Sequence, residues 1–556
     1  MTEMKKTRII LLPVAAAALL LSSCVWDLDT TPLNETEYTA GNAYDNESAY
    51  LSGLAEISSY YSFVSMNDPG TSDISVKDAG QSEMIRQYIN LNELCADSFK
   101  CVWTGDSYVA ELQNDNWTAT ENAATVAVYT RCMKGITLVN EYLMQTTDEK
   151  LEARGHEAMK TTLAGYRAEA RFHRALFYYM LMDLYGNPPF ATEANITGPM
   201  PEQIGRASLF TWIENECNEL LSGSDMPAKG EVAYPRPTKG SVQALLARMY
   251  LNAEVYTGTA QWQKAKDAAK ACIDMGYTLH ADFQELFMQD NTETGAAAEE
   301  FIFGIEYDMN HAQSWGGTTT LGSAALGTAA NTAIAALLGI NGQIMPESWD
   351  GYHVAPDYVD RFELKGVNWD KTGFGYNRET SDKRAFFYNE GEPDFDVMTT
   401  KTGWRCWKFS GLYSNGTVVE QSGDNWKYSS ADFPFFRLAE MYLIYAEADA
   451  RLNGGYVADS QALSYIKALR DRAGVDTPER IDLDWLLDER ARELMWEGHR
   501  RTDLIRYGYF TSASFPWAGK GGVANGKVAI ASFRTVYPIL MSDINANPNL
   551  NQNTGY

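Results

Sequence analysis

The sequence is short of cations. It carries 46 lysines and arginines against 73 aspartates and glutamates, for a net formal charge of −27. A field of that sign repels polyanions and argues against nucleic acid as a partner. Neutral sugars, peptides and proteins stay open. Histidine is scarce too, with 6 among 556 residues. No HExxH, GxSxG or P-loop pattern occurs, so the metalloprotease, serine-hydrolase and nucleotide-binding signatures are missing. A glycosidase needs only two carboxylates flanking one bond, and acids are abundant, so that class is not excluded. The Gly- and Lys-rich run AGKGGVANGK (518–527) lacks a strand-to-helix setting and reads as a loop. Seven cysteines include no CxxC pair of the zinc-binding kind. Cys95 and Cys101 are close enough in sequence to bridge in an exported chain. Small buried thiols are the alternative for the rest.

Long hydrophobic runs are missing as well. GSAALGTAANTAIAALLGI (322–340) is diluted by Gly, Thr and Asn and reads as a loop or a soft helix. Ile9–Leu21, interrupted only by Pro13, falls short of the ~20 residues that span a bilayer. It follows Lys5, Lys6 and Arg8 and fits the apolar region of a secretory leader, residues 1–23. Leu21-Ser22-Ser23-Cys24 resembles a bacterial lipobox, in which Cys24 becomes the lipidated first residue. That implies a chain anchored to a membrane without spanning it. A plain leader cut nearby, with Cys24 incidental, is the alternative. Asp27, Asp29, Glu35 and Glu37 then make residues 24–45 an acidic tether. Such a tether resembles the surface-export signals of Bacteroidetes lipoproteins, and a solvated linker has the same composition.

What the chain has in quantity is aromatic residues, with 14 Trp and 32 Tyr. Most must be core, yet spare rings on an exported protein are candidates for covering sugar faces. The spacing predicts helices over 157–186, 209–221, 241–256 and 260–277. The last two carry small alanines on facing sides and resemble a tetratricopeptide unit. From about 278 to 431, Gly, Asn, Asp, Thr and aromatics dominate, with a strand-like run EFIFGIEY (300–307). A long irregular insert of this kind is often functional. Helices return at 433–455, with Asp432 as the expected cap, then at 462–474 and 484–508. In the last, Glu489/Arg492 and Glu497/Arg501 are spaced to form ion pairs, read here as a salt-laced surface.

Several of these stretches together resemble the SusD/RagB lipoproteins. They are the lipobox, AEARFHRALFYYMLMDLYGNPPF, ARMYLNAEVYTG, FPFFRLAEMYLIYAEA, ERARELMWEGHRRTDLIRYG and the ending YPILMSDINANPNLNQNTGY. The resemblance covers essentially the whole chain after the leader. It implies a mainly α, SusD-like domain over 46–556. Helical repeats would occupy about 120–277 and 432–510, and a loop-rich, ligand-binding part about 278–431. It further implies a binding protein, not an enzyme, without cofactor. Such a protein sits as a lid on a SusC-type TonB-dependent transporter of the outer membrane. It captures glycan oligomers or, in some branches, peptides.

The stretch NELCADSFKCVWTGDSYVAELQNDNW (92–117) is similar to the starch-binding branch of the family without a gap. On that match Trp103, Trp315 and Trp349 fall on ligand-stacking positions. Arg86 falls on a ligand-contacting arginine, and Asp106 stands where the branch has asparagine. Packing is the alternative role for each ring, and Arg86 pairing with Asp106 the alternative for the polar pair. Trp117 reads as core. The chemistry is coherent, because a glucose ring has an apolar C–H face that an indole covers and a hydroxyl rim that polar groups bind. A carboxylate at 106 accepts hydrogen bonds as an amide does but cannot donate. The branch's calcium loop matches DNTETG (290–295) with Ser430 and Asp432. So few hard oxygen donors remain that no calcium is expected there.

Overall fold

Apolar residues at helical spacing, closed by capping and breaking residues, build the frame of the molecule. The computed structural model describes residues 43–65, 68–196, 198–292, 297–392, 401–515 and 529–556. The leader, Cys24, nearly all of the acidic tether and the loop at 518–527 lie outside the described residues. Residues 1–50 and 51–556 are two separate units, and the second carries the fold. It is mainly helical, at 47% helix and 7% strand.

Ala123–Gln145 starts at a capping box in which Asn122 accepts the Thr125 amide at 3.1 Å. It packs on Lys160–Tyr185, which stops at Gly186 with φ of 74°. Arg206–Ser222 packs next, then Lys239–Leu251 and Trp262–Ile273. The last of these buries Ala265, Ala268 and Ala269, so its neighbours approach closely on both sides. One neighbour is Leu438–Leu452, which carries on to Ser460–Ala473 and Leu483–Glu493.

Several expectations need correcting here. The predicted helix at 433–455 begins only at Leu438. Phe433–Arg437 is a strand, paired antiparallel with Phe301–Ile305 of the strand-like run. Aromatic rings favour a pleated surface, and Asp432 does not cap. Its carboxylate accepts from the Tyr307 amide (2.8 Å), the Tyr234 hydroxyl (2.9 Å) and the Thr292 hydroxyl (3.1 Å). The 484–508 helix is broken into Leu483–Glu493 and Arg500–Arg506. Trp496 at φ 60° turns the chain, and Glu93 accepts the amides of Gly498 and His499 at 3.1 Å each.

The charges of that region are buried, not a surface lace. Glu489, Glu493, Glu497 and Arg501 are all 3% exposed or less. Glu497 pairs with Lys408 and Arg437, and Arg501 with Asp183. The apolar stretch at 322–340 resolves into Thr328–Leu337 and the end of Gly317–Ser323. Cys95 and Cys101 are both buried and do not bridge. The Cys95 thiol donates to the Leu91 carbonyl at 3.1 Å.

One small sheet matters for function. Its four antiparallel strands run in the order Phe99–Cys101, Tyr352–Val354, Trp404–Cys406, Phe387–Asn389. The first strand comes from the N-terminal half and the other three from the loop-rich part. The pairing Cys101↔Tyr352 therefore joins segments some 250 residues apart.

Candidate functional site

That register brings two tryptophans together. Beyond Cys101 the ladder continues, with the Val102 amide donating to the Gly351 carbonyl at 2.9 Å. Trp103 leaves one strand as Trp349 enters the other, and their ring centroids lie 6.5 Å apart at 49°. A Cβ on Gly351 would stand 2.3 Å from the Trp103 ring, so only glycine leaves the indole its place.

The third ring is placed by the helix Gly317–Ser323. Trp315 precedes its first turn, and the Ser323 carbonyl near its end accepts the Trp349 amide at 2.8 Å. Trp315 and Trp349 lie 5.9 Å apart at 46°. Trp349 is thus the middle ring of a row, and neighbouring rings are tilted instead of coplanar. Tyr428 backs the row, 4.5 Å from Trp315, while Tyr352 backs Trp103 at 5.7 Å. The Trp349 indole N–H is occupied by Glu347 at 3.0 Å. All three indoles are half-buried.

The polar residues arrive on the helix Met84–Ile89 and its neighbours. Glu83 caps that helix, accepting the Arg86 amide at 2.5 Å, and also accepts the Gly317 amide at 3.0 Å and the Tyr307 hydroxyl. One carboxylate therefore ties the segment carrying Arg86 to the segment carrying Trp315. Burial raises the Glu83 pKa to about 7, against the pull of those three donors. Arg86 is 7% exposed, its guanidinium carbon 5.9 Å from the Trp103 centroid. Its Nε has no hydrogen-bond partner among the described residues. The Tyr108 hydroxyl, which burial pushes up to about 12, stays protonated beside it. Asp106 does not pair with Arg86. Its carboxylate accepts from Lys77 Nζ at 3.1 Å and Gln81 Nε2 at 3.0 Å.

The five residues expected to bind ligand converge. Arg86, Trp103, Asp106, Trp315 and Trp349, joined by Asp78, line one open depression of about 350 Å³. Asp78, Tyr428, Glu347 and Glu83 were not anticipated. Their types are common on any surface or in any core, and no spacing ties them to the tryptophans. Trp117 is core, as read, with its indole N–H on the Tyr556 hydroxyl at 2.7 Å. In the DNTETG stretch, residues 293–296 lie outside the described residues, and Asp432 is satisfied by protein donors.

The arrangement suits a neutral, hydroxyl-rich ligand. The rings cover apolar faces, and a cation and two carboxylates meet a polar rim. Residues 364–556 match a family model described as "SusD family", and residues 74–251 one described as "Starch-binding associating with outer membrane". The starch-binding protein SusD of Bacteroides thetaiotaomicron is 31% identical over 561 residues, covering 96% of both chains. SusD-like protein P2 of Formosa agariphila is 24% identical, covering 61% of this chain and 64% of the relative. Among solved structures, a SusD homolog from Bacteroides thetaiotaomicron superposes with a TM-score of 0.67 at 18% identity. It covers 94% of this chain and all of its own. Surface glycan-binding protein A of that organism, in complex with laminarihexaose, gives 0.63 at 17%, covering 91% and 99%. These two likenesses concern the fold, whereas the full-length match at 31% concerns descent. The chain belongs to the SusD family.

Proposed function

We propose that the protein is a surface-exposed glycan-binding lipoprotein that captures α-glucan oligosaccharides and hands them to a SusC-type TonB-dependent transporter. The observation that carries the reading is the row Trp103–Trp349–Trp315, edged by Arg86 and Asp106 in one depression. Successive glucose units of an α-1,4 chain turn relative to one another, and tilted indoles follow such a turn where coplanar ones would not. Arg86 donates to sugar hydroxyls, and Asp106 accepts from them with the lone pairs that Lys77 and Gln81 leave over. The similarity to a starch-binding relative supports the same ligand class.

An open, shallow site of this kind binds at roughly micromolar to millimolar strength, about −8 to −4 kcal/mol. Weak capture suits a lid that must release its cargo. Lipid on Cys24 would hold the lid at the outer membrane, and the protein performs no bond-breaking step. The openness of the cleft speaks against a peptide enclosed in a deep cavity.

Titration calorimetry with maltoheptaose and laminarihexaose tests the ligand, with a reducing-end assay on the same samples. Saturable binding of maltoheptaose without new reducing ends is the expected result. Preference for laminarihexaose would move the assignment to β-1,3-glucans, and release of reducing ends would make the protein an enzyme.

A further inference from the structure

Beside the tryptophan depression lies a second one of about 370 Å³. Its lining includes Ser75, Lys77, Gln81, Asp106, Tyr108 and Asn122. Among the described residues, Asp106 is the one that lines both. Lys77 lines the second depression and the adjacent Asp78 the first. The groups that hold the Asp106 carboxylate, Lys77 and Gln81, both reach it from the second side. Tyr108 lines the second depression and contacts Arg86 of the first.

We propose that this second depression is a sugar subsite that continues the glycan path past Trp103, over Asp106. The inference rests on the glycan-binding reading above and deepens it. No exposed ring lies here, since Tyr108 is 1% exposed. A sugar unit would therefore bind by its hydroxyl edge, not its face. The lining offers reachable donors and acceptors of both kinds: the Lys77 ammonium, the Ser75 and Ser107 hydroxyls and the carboxylates of Asp106 and Glu121. That mixture fits neutral hydroxyls and disfavours an anionic sugar, because Asp106 and Glu121 share the lining. Lys77 is 72% exposed at its side chain and already neutralised by Asp106, so it is no anion trap. The stacking row then sets which glycan face is bound, and the polar subsite rewards a chain long enough to reach past it.

The test compares maltotriose with maltoheptaose by calorimetry on the purified protein, on Ser75→Leu and on Lys77→Met. Ser75 is exposed and its replacement narrows the second depression without touching Asp106. Wild-type protein is expected to bind the longer chain about fivefold or more tightly. Ser75→Leu should leave the trisaccharide affinity unchanged and remove most of the gain with length, and Lys77→Met should reduce that gain. A longer chain also gains simply from having more binding registers, but that gain would survive both substitutions. An undiminished length ratio in both variants, or equal weakening of both sugars by Ser75→Leu, would overturn the subsite while leaving the tryptophan site standing. Failure of wild-type protein to bind either sugar would instead remove the α-glucan reading, and the subsite with it.

Discussion

Trp349 sits between the two other indoles, so a ligand that stacks on the row must cross it. Trp349→Ala should weaken oligosaccharide binding by about tenfold or more, roughly 1.4 kcal/mol, in a calorimetric titration. The half-buried ring should cost little in folding. Gly351→Ala is subtler. Its Cβ would lie 2.3 Å from the Trp103 ring, which must then shift. Binding should fall several-fold in the same titration while the far-ultraviolet circular dichroism stays unchanged. At this scale the convergence of the candidate residues was largely legible. Trp103, Trp315, Trp349, Arg86 and Asp106 were all picked out through motif similarity, and one depression holds all five. Asp78, Glu347 and Tyr428 were not, because an ordinary acid or tyrosine carries no mark of its neighbours until the chain is folded. The partner of Asp106 was also illegible. Lys77 and Gln81 lie more than twenty residues before it, and either could have faced elsewhere.

Between elements, one carboxylate does much of the joining. Glu83 receives the Arg86 amide, the Gly317 amide and the Tyr307 hydroxyl. Glu83→Ala would leave three buried donors without an acceptor, at about 1–3 kcal/mol for each one left unmet. The melting temperature should fall by several degrees. Glycan affinity should fall too, since Arg86 and Trp315 lose their common tie. A variant that melts normally and binds normally would remove Glu83 from this role. Helices with clear periodicity and end signals were readable, such as Lys160–Tyr185 stopped by Gly186. The strand Phe433–Arg437 was not, because FPFFR runs straight into a helical pattern. What separates the two is a partner strand at Phe301–Ile305, about 130 residues away. The break at 494–499 was equally hidden. It depends on Glu93 offering its carboxylate to the Gly498 and His499 amides.

Over the whole molecule, buried acids set the response to pH. Burial raises Glu83, Glu93 and Asp432 to about 7 each. A carboxyl whose folded pKa is raised holds its proton better folded than unfolded. Its contribution is full below the unfolded value of about 4.3 and is lost as pH rises towards 7. Asp97, Glu489 and Glu493 are also deeply buried, but arginines outweigh that burial and hold their pKa values low. Their contribution is full above the unfolded value and is lost as the solution becomes strongly acidic. The net charge of −27 adds self-repulsion at high pH, in the same direction as the first group. Thermal melts should therefore show higher stability at pH 5.5 than at pH 8, with loss below about pH 4. A melt that is flat or rises between pH 5.5 and 8 would contradict this. The charged spacing at Glu489 and Arg492 was visible in sequence, but its burial was not. Burial depends on Arg384, Arg437 and Arg470 arriving from other segments. The proposed function of the whole molecule rests on the tryptophan row holding an α-glucan. The direct measurement is affinity electrophoresis of the purified protein through gels containing amylopectin, pullulan, dextran or levan. Wild-type protein would run beside the triple Trp103→Ala, Trp315→Ala, Trp349→Ala variant. Retardation by amylopectin and pullulan, abolished in the triple variant, is the expected result. Unretarded migration of folded wild-type protein in amylopectin, or equal retardation of the triple variant, would contradict it.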